Sequence, residues 1–122
     1  MFKSLTIIFS IFFLTFQNPD CNILKKGKFT YKRGNNVVKV EYDGNNHTEL
    51  HNDGKHYIKS SIEWTSDCEY YLTIKDINYP DFPFKTGAKL KVEIVKINGN
   101  NVYYKSTINK KTWEGKLTKV NE

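Results

Sequence analysis

Beyond residue 20, apolar and polar residues alternate with a period of two, and Asn-, Gly- and Asp-rich breaks interrupt the alternation about every 8–12 residues. Few folds tolerate this pattern. Successive side chains of a strand project to opposite faces, so each segment has one dry face and one wet face, as antiparallel pairing around a single core requires. Phe29 and Tyr31 alternate with Lys28, Thr30 and Lys32, and Val38, Val40 and Tyr42 with Lys39 and Glu41. Ile58, Ile62 and Trp64 alternate with Lys59 and Glu63, with Ser60 on the apolar side. Tyr70, Leu72 and Ile74, then Leu90, Val92 and Ile94, then Val102, Tyr104 and Ile108, and finally Trp113, Gly115 and Leu117 continue the series. Gly34-Asn35-Asn36, Asp43-Gly44-Asn45-Asn46, Asn52-Asp53-Gly54, Asn98-Gly99-Asn100-Asn101 and Asn109-Lys110-Lys111 supply turn residues that tolerate positive φ. About eight strands with short connections predict an all-β fold, a small antiparallel up-and-down meander closed as a lipocalin-like barrel. A two-sheet β-sandwich is the alternative. A barrel this short, with Phe29, Trp64, Tyr70 and Trp113 turned inward, is expected to be filled.

The N-terminus has another character. Lys3 is the only charge before Asp20, and Leu5 to Phe16 is almost wholly apolar. Twelve helical residues span roughly 18 Å, short of a bilayer core of roughly 30 Å, so a signal peptide over 1–17 is expected, followed by a single β domain over 18–122. This predicts export, to the periplasm or the extracellular space. Asn18-Pro19-Asp20 does not resemble a lipid-attachment signal, so Cys21 is read as structural and no stable membrane anchor is expected. The chain has two cysteines, and an exported chain with two has one possible intramolecular disulfide, Cys21–Cys68. The long loop it closes predicts roughly 4 kcal/mol of stabilisation in the chain-entropy model. The net charge is +6 and is spread along the chain without a run of like charges, which predicts a solvated exterior and no nucleic-acid partner. A monomer is expected.

The spacing Cys21-x5-Gly27-Lys28-Phe29, followed by Trp64-x3-Cys68-Glu69-Tyr70, resembles an uncharacterised family of short exported β-rich proteins from flavobacteria and their relatives. The resemblance covers about half of the chain beyond the signal and implies the same disulfide and a β fold. It implies no activity. Lipoprotein members carry a further cysteine upstream of the Gly-x-Phe cysteine, and this chain does not.

Three segments invite a functional reading. On a strand, His47, Glu49 and His51 share one side, and a two-residue turn at Asp53-Gly54 adds His56; such a set suits Zn²⁺ or Cu²⁺. The segment reads as a wet strand with ordinary polar filler, so no metal and no cofactor are expected. The stretch from Asp76 to Gly87 breaks the alternation with Pro80 and Pro83, and its Tyr79, Phe82 and Phe84 suit either a binding loop at the mouth of a barrel or a plug that closes the barrel end. At Thr65-Ser66-Asp67 a three-residue turn is expected to set Trp64 opposite Cys68, which puts the disulfide in the core. No nucleophile elbow, zinc-protease motif or phosphate loop is present, so the protein is not expected to be an enzyme. The expected function is a binding module for an apolar or amphipathic ligand. The alternative is a protein-interaction or inhibitor module, binding an extracytoplasmic protein through a sheet edge or the 76–87 loop.

Overall fold

The computed structural model describes residues 19–121. The expected signal peptide, 1–17, and the start of the domain at 18 lie outside them. Eight strands follow one another as a meander: β1 Lys26–Arg33, β2 Asn36–Asp43, β3 Asn46–His51, β4 His56–Ser66, β5 Glu69–Ile77, β6 Lys89–Asn98, β7 Asn101–Ile108 and β8 Lys111–Lys119. Each pairs antiparallel with the next, and β8 returns to β1, so the sheet is a closed up-and-down barrel of the lipocalin-like kind. Turn chemistry places the corners. Asn109 and Lys110 both adopt positive φ (49° and 68°), as a two-residue hairpin turn of the primed type requires at both central positions.

Most of the expected inward positions are buried. Phe29, Val38, Val40, Tyr42, Ile62, Tyr70, Leu72, Val92, Ile94, Val102 and Leu117 form one apolar cluster. Three β-bulges adjust the register without exchanging the faces. The bulge at Val95, between the Ile94–Tyr104 and Lys96–Tyr103 pairs, turns that valine to solvent, where it is 55% exposed.

The hairpin between β4 and β5 corrects the expected turn. Trp64 lies opposite Tyr70, not Cys68, because Thr65 is an extra residue between the Trp64–Tyr70 and Ser66–Glu69 pairs. The extra residue restores the two-residue phase, so Ile62, Trp64, Tyr70 and Leu72 still share the inner face. Cys68 therefore sits in the turn itself, at the base of the barrel. There it is bonded to Cys21, with Cα atoms 5.4 Å apart. Cys21 opens a one-turn 3₁₀ helix, Cys21–Leu24, capped by the Asp20 carboxylate, which accepts from the Asn22 N–H at 3.1 Å. Leu24 is fully buried, and with Cys21 it plugs the base. Trp64 is only half-buried beside this plug; it packs on Tyr70 at 4.7 Å between ring centroids, and the Lys25 ammonium lies 3.3 Å from its ring centre.

Closure of the ring is partial. β1 and β8 are in register only at Phe29–Lys119 and Thr30–Thr118, and the Val120 N–H adds a bond of 2.8 Å to the Lys28 carbonyl. Above these pairs Tyr31–Arg33 and 111–117 share no register pair, which leaves a seam toward the other end.

Candidate functional site

The interior is hollow, which corrects the expectation of a filled barrel. A cavity of about 480 Å³ occupies its upper half. Phe29, Tyr70 and the plug fill only the base, whereas higher positions on the inner face carry Ser60, Ser106, Ala88 and Gly115. Gly115 faces Tyr104 across the β7–β8 pair, and a Cβ there would collide with the end of the Tyr104 ring, so the glycine lets that ring lie against the wall. Trp113 points to the inner face opposite buried Ser106, yet it is 40% exposed, because β1 does not cover it across the seam.

The walls are apolar, with Val40, Ile58, Leu72, Ile74, Val92 and Ile108 among them, but the lining also holds the hydroxyls of Tyr31, Tyr42, Tyr70 and Tyr104. Burial raises all four of these phenols. Tyr31 is raised further by Glu49, and Tyr104 is pushed up to about 12. They are therefore protonated donors at neutral pH. The hydroxyls of Tyr42 and Tyr70 hydrogen-bond to each other.

His47, Glu49 and His51 do share one side of β3, and that side is the inside, not a wet face. His47 and His51 are buried, and Glu49 lines the cavity. The Tyr31 hydroxyl donates to Glu49 Oε1 at 2.8 Å, and His51 Nε2 donates to the same oxygen at 2.9 Å. Burial alone would raise the Glu49 carboxyl. The bond from His51, the charge of the adjacent imidazoles and the bond from Tyr31 outweigh it and hold the group below 4.5. His47 is treated in the opposite way. Its Nδ1 is buried with no hydrogen-bond partner, its ring meets Tyr42 edge-on at 4.8 Å, and burial lowers its pKa below 6.5 despite the pull of Glu49. Among the described residues, no group of three or more His, Cys, Asp or Glu side chains is arranged to hold a metal ion.

Both shifts predict acid lability. In the folded state His47 and Glu49 each bind their proton at lower pH than in the unfolded chain, so below those values the unfolded chain holds more protons. The stabilisation is complete above 6.5 for His47 and above 4.5 for Glu49, and each part is lost as pH falls below that point. Melting temperature should therefore be level near neutrality, decline below about pH 6.5 and decline further below about pH 4.5. His47→Gln should remove the first decline. A melting temperature that holds or rises from pH 7 to pH 5 would contradict this account.

The mouth lies at the end opposite the plug. His51 pairs with His56 across the four-residue connection 52–55, with Asn52 and Asp53 at positive φ, which sets both histidines at the rim. The loop 78–88 crosses above them. Asn78 takes the Tyr57 N–H on its side-chain oxygen at 2.6 Å, and the Gly87 N–H bonds the Ile74 carbonyl at 2.8 Å. Tyr79 packs 4.6 Å from His51, stacks on His56 at 5.6 Å and lies under the Arg33 guanidinium. Phe82 follows Tyr79 at 5.4 Å and Phe84 follows Phe82 at 5.9 Å. Phe82 and Phe84 line the cavity, while Tyr79 closes its histidine side. Phe82 is half-buried here, not turned to solvent. Asp76 and Ile77, read as loop from the sequence, are the last residues of β5, because Ile77 pairs with Ile58.

Glu49 and the inward tyrosines as cavity groups were missed in the sequence. A signal was present: Tyr31, Tyr42, Tyr70 and Tyr104 all fall on the dry face, and a buried phenol needs a polar partner. No family model, curated protein or solved structure matches this chain. Its class is set by its geometry, a lipocalin-like barrel plugged at the base and capped by an aromatic loop over an open interior.

Proposed function

We propose that this is a small exported binding protein that takes an apolar or amphipathic small molecule into its barrel. The observation that carries the reading is the cavity. Its volume of about 480 Å³ falls within the roughly 300–1,000 Å³ typical of small-molecule sites, and apolar walls with a few convergent polar groups are the usual make-up of such sites. Phe82, Phe84 and Trp113 give the entrance an apolar lining. Export is part of the proposal; the signal-like N-terminus and the disulfide support it, since such bonds persist in oxidising compartments. So does the resemblance to short exported β-rich proteins. The outer face carries ion pairs such as Lys91–Glu93 at 3.4 Å and Lys91–Glu69 at 3.7 Å, in keeping with a water-facing monomer. No catalytic role is assigned. An interaction module working through a sheet edge draws less support, because the sheet closes on itself and its unpaired backbone is confined to the upper part of the β1–β8 seam.

Trp113 provides the test. In a Trp64→Phe variant it is the remaining tryptophan. Titration with the neutral apolar fluorophore N-phenyl-1-naphthylamine should give saturable energy transfer from Trp113, reversed by competing octanol. Native mass spectrometry of protein purified from its source should show a bound mass that denaturation releases. Linear, non-saturable emission together with a bare protein mass would refute the proposal.

A further inference from the structure

Resting on that reading, we propose that Glu49 makes the cavity selective for amphipathic ligands whose polar end is a hydrogen-bond-donating cation, a primary ammonium above all. Both protein donors to Glu49, Tyr31 and His51, bond the same oxygen, Oε1, and Oε2 receives a hydrogen bond from neither. The side chain keeps 21% of its surface exposed where it lines the cavity. A carboxylate so placed presents an acceptor to whatever enters. A ligand chain that displaces water from the cavity without supplying a donor leaves that acceptor unpaired, whereas an ammonium supplies both a donor and the opposite charge. The other carboxylate among the lining residues, Glu114, is exposed at the seam. His47 is adjacent on the strand and buried, and the four phenols and Ser60 and Ser106 are neutral.

The cations among the lining residues, Lys32, Arg33 and Lys116, belong to the seam and are exposed. Water and salt screen them, whereas Glu49 acts inside the barrel where screening is weak. An anionic ligand gains little from the rim and meets the Glu49 carboxylate within. A fatty-acid-like ligand with its head at the rim is the arrangement this proposal excludes.

The test is isothermal titration of the protein at pH 7 with octylamine, octanol and octanoate, which share a chain and differ in the head. Octylammonium should bind at least about tenfold more tightly than octanol, with octanoate the weakest, because bonds to a charged group exceed neutral ones by about that factor. Glu49→Gln should bring octylammonium to within about threefold of octanol and leave octanol itself unchanged. Octanoate binding as tightly as octylammonium in the wild type, which needs no variant, would overturn the proposal. So would a cation preference that survives in Glu49→Gln. Octanol binding without any advantage for the ammonium removes the selectivity alone and leaves the binding function standing. Failure of all three probes removes both.

Discussion

Replacing Cys21 and Cys68 together by serine is expected to lower the unfolding free energy by about 2–5 kcal/mol. The bond spans 47 positions of sequence, so its loss frees a large part of the unfolded chain. It also has a local task. It ties the 3₁₀ plug to the β4–β5 turn; without it the plug is held by the burial of Leu24 in the core cluster, by the Gly44 N–H bond to the Lys25 carbonyl at 3.2 Å and by Lys25 over Trp64. A barrel of this size has a total stability of about 5–15 kcal/mol, so the loss is a large share. Urea midpoints of the double variant, and of the wild type under a strong reductant, should fall together. A shift worth less than about 1 kcal/mol would show that the plug seats itself unaided.

The second large effect concerns Phe29. Phe29→Ala should cost about 3–5 kcal/mol, the usual range for truncating a fully buried aromatic residue. Phe29 is 1% exposed, stands edge-on to Tyr42 at 5.4 Å and pairs with Val40 beside the closure of the ring. Trp64→Ala should cost less, about 1–3 kcal/mol, although tryptophan is larger. Trp64 sits at the rim of the base with one face under the Lys25 side chain. Denaturant midpoints of the two variants settle the ordering. If Trp64→Ala proves the more damaging, the packing of the base is misassigned.

The strands and their faces were legible because period-two alternation is a local signal and each face is uniformly wet or dry. The disulfide was legible by elimination. β3 was misread as wet because His, Thr and Glu are polar wherever they lie. Only the pairing of β3 with β2 and β4, which sets His47 beside Tyr42 and Glu49 beside Ile58, shows that the polar side is the inside. The hollow was hidden for a related reason. Counting large inward residues overlooks the small ones between them, and Ser60, Ser106 and Gly115 all line the space. The extra residue at Thr65 has no signature in a single sequence, since a bulge is a property of two strands.

Seven of the eight strand pairings join neighbours in the chain, and each can zip from its own turn. The eighth, between β1 and β8, joins positions near opposite ends of the domain and rests on two register pairs. It carries the highest contact order in the molecule, with the largest loop to close and the fewest bonds to repay it. Ring closure is therefore expected to be the last step of folding and the first to reverse. Because the cavity runs out to this same seam, the cheapest partial unfolding of the barrel is also a route into it. Ligand entry and local fraying become a single motion, and a guest that touches both β1 and β8 would act as the missing rungs of that ladder.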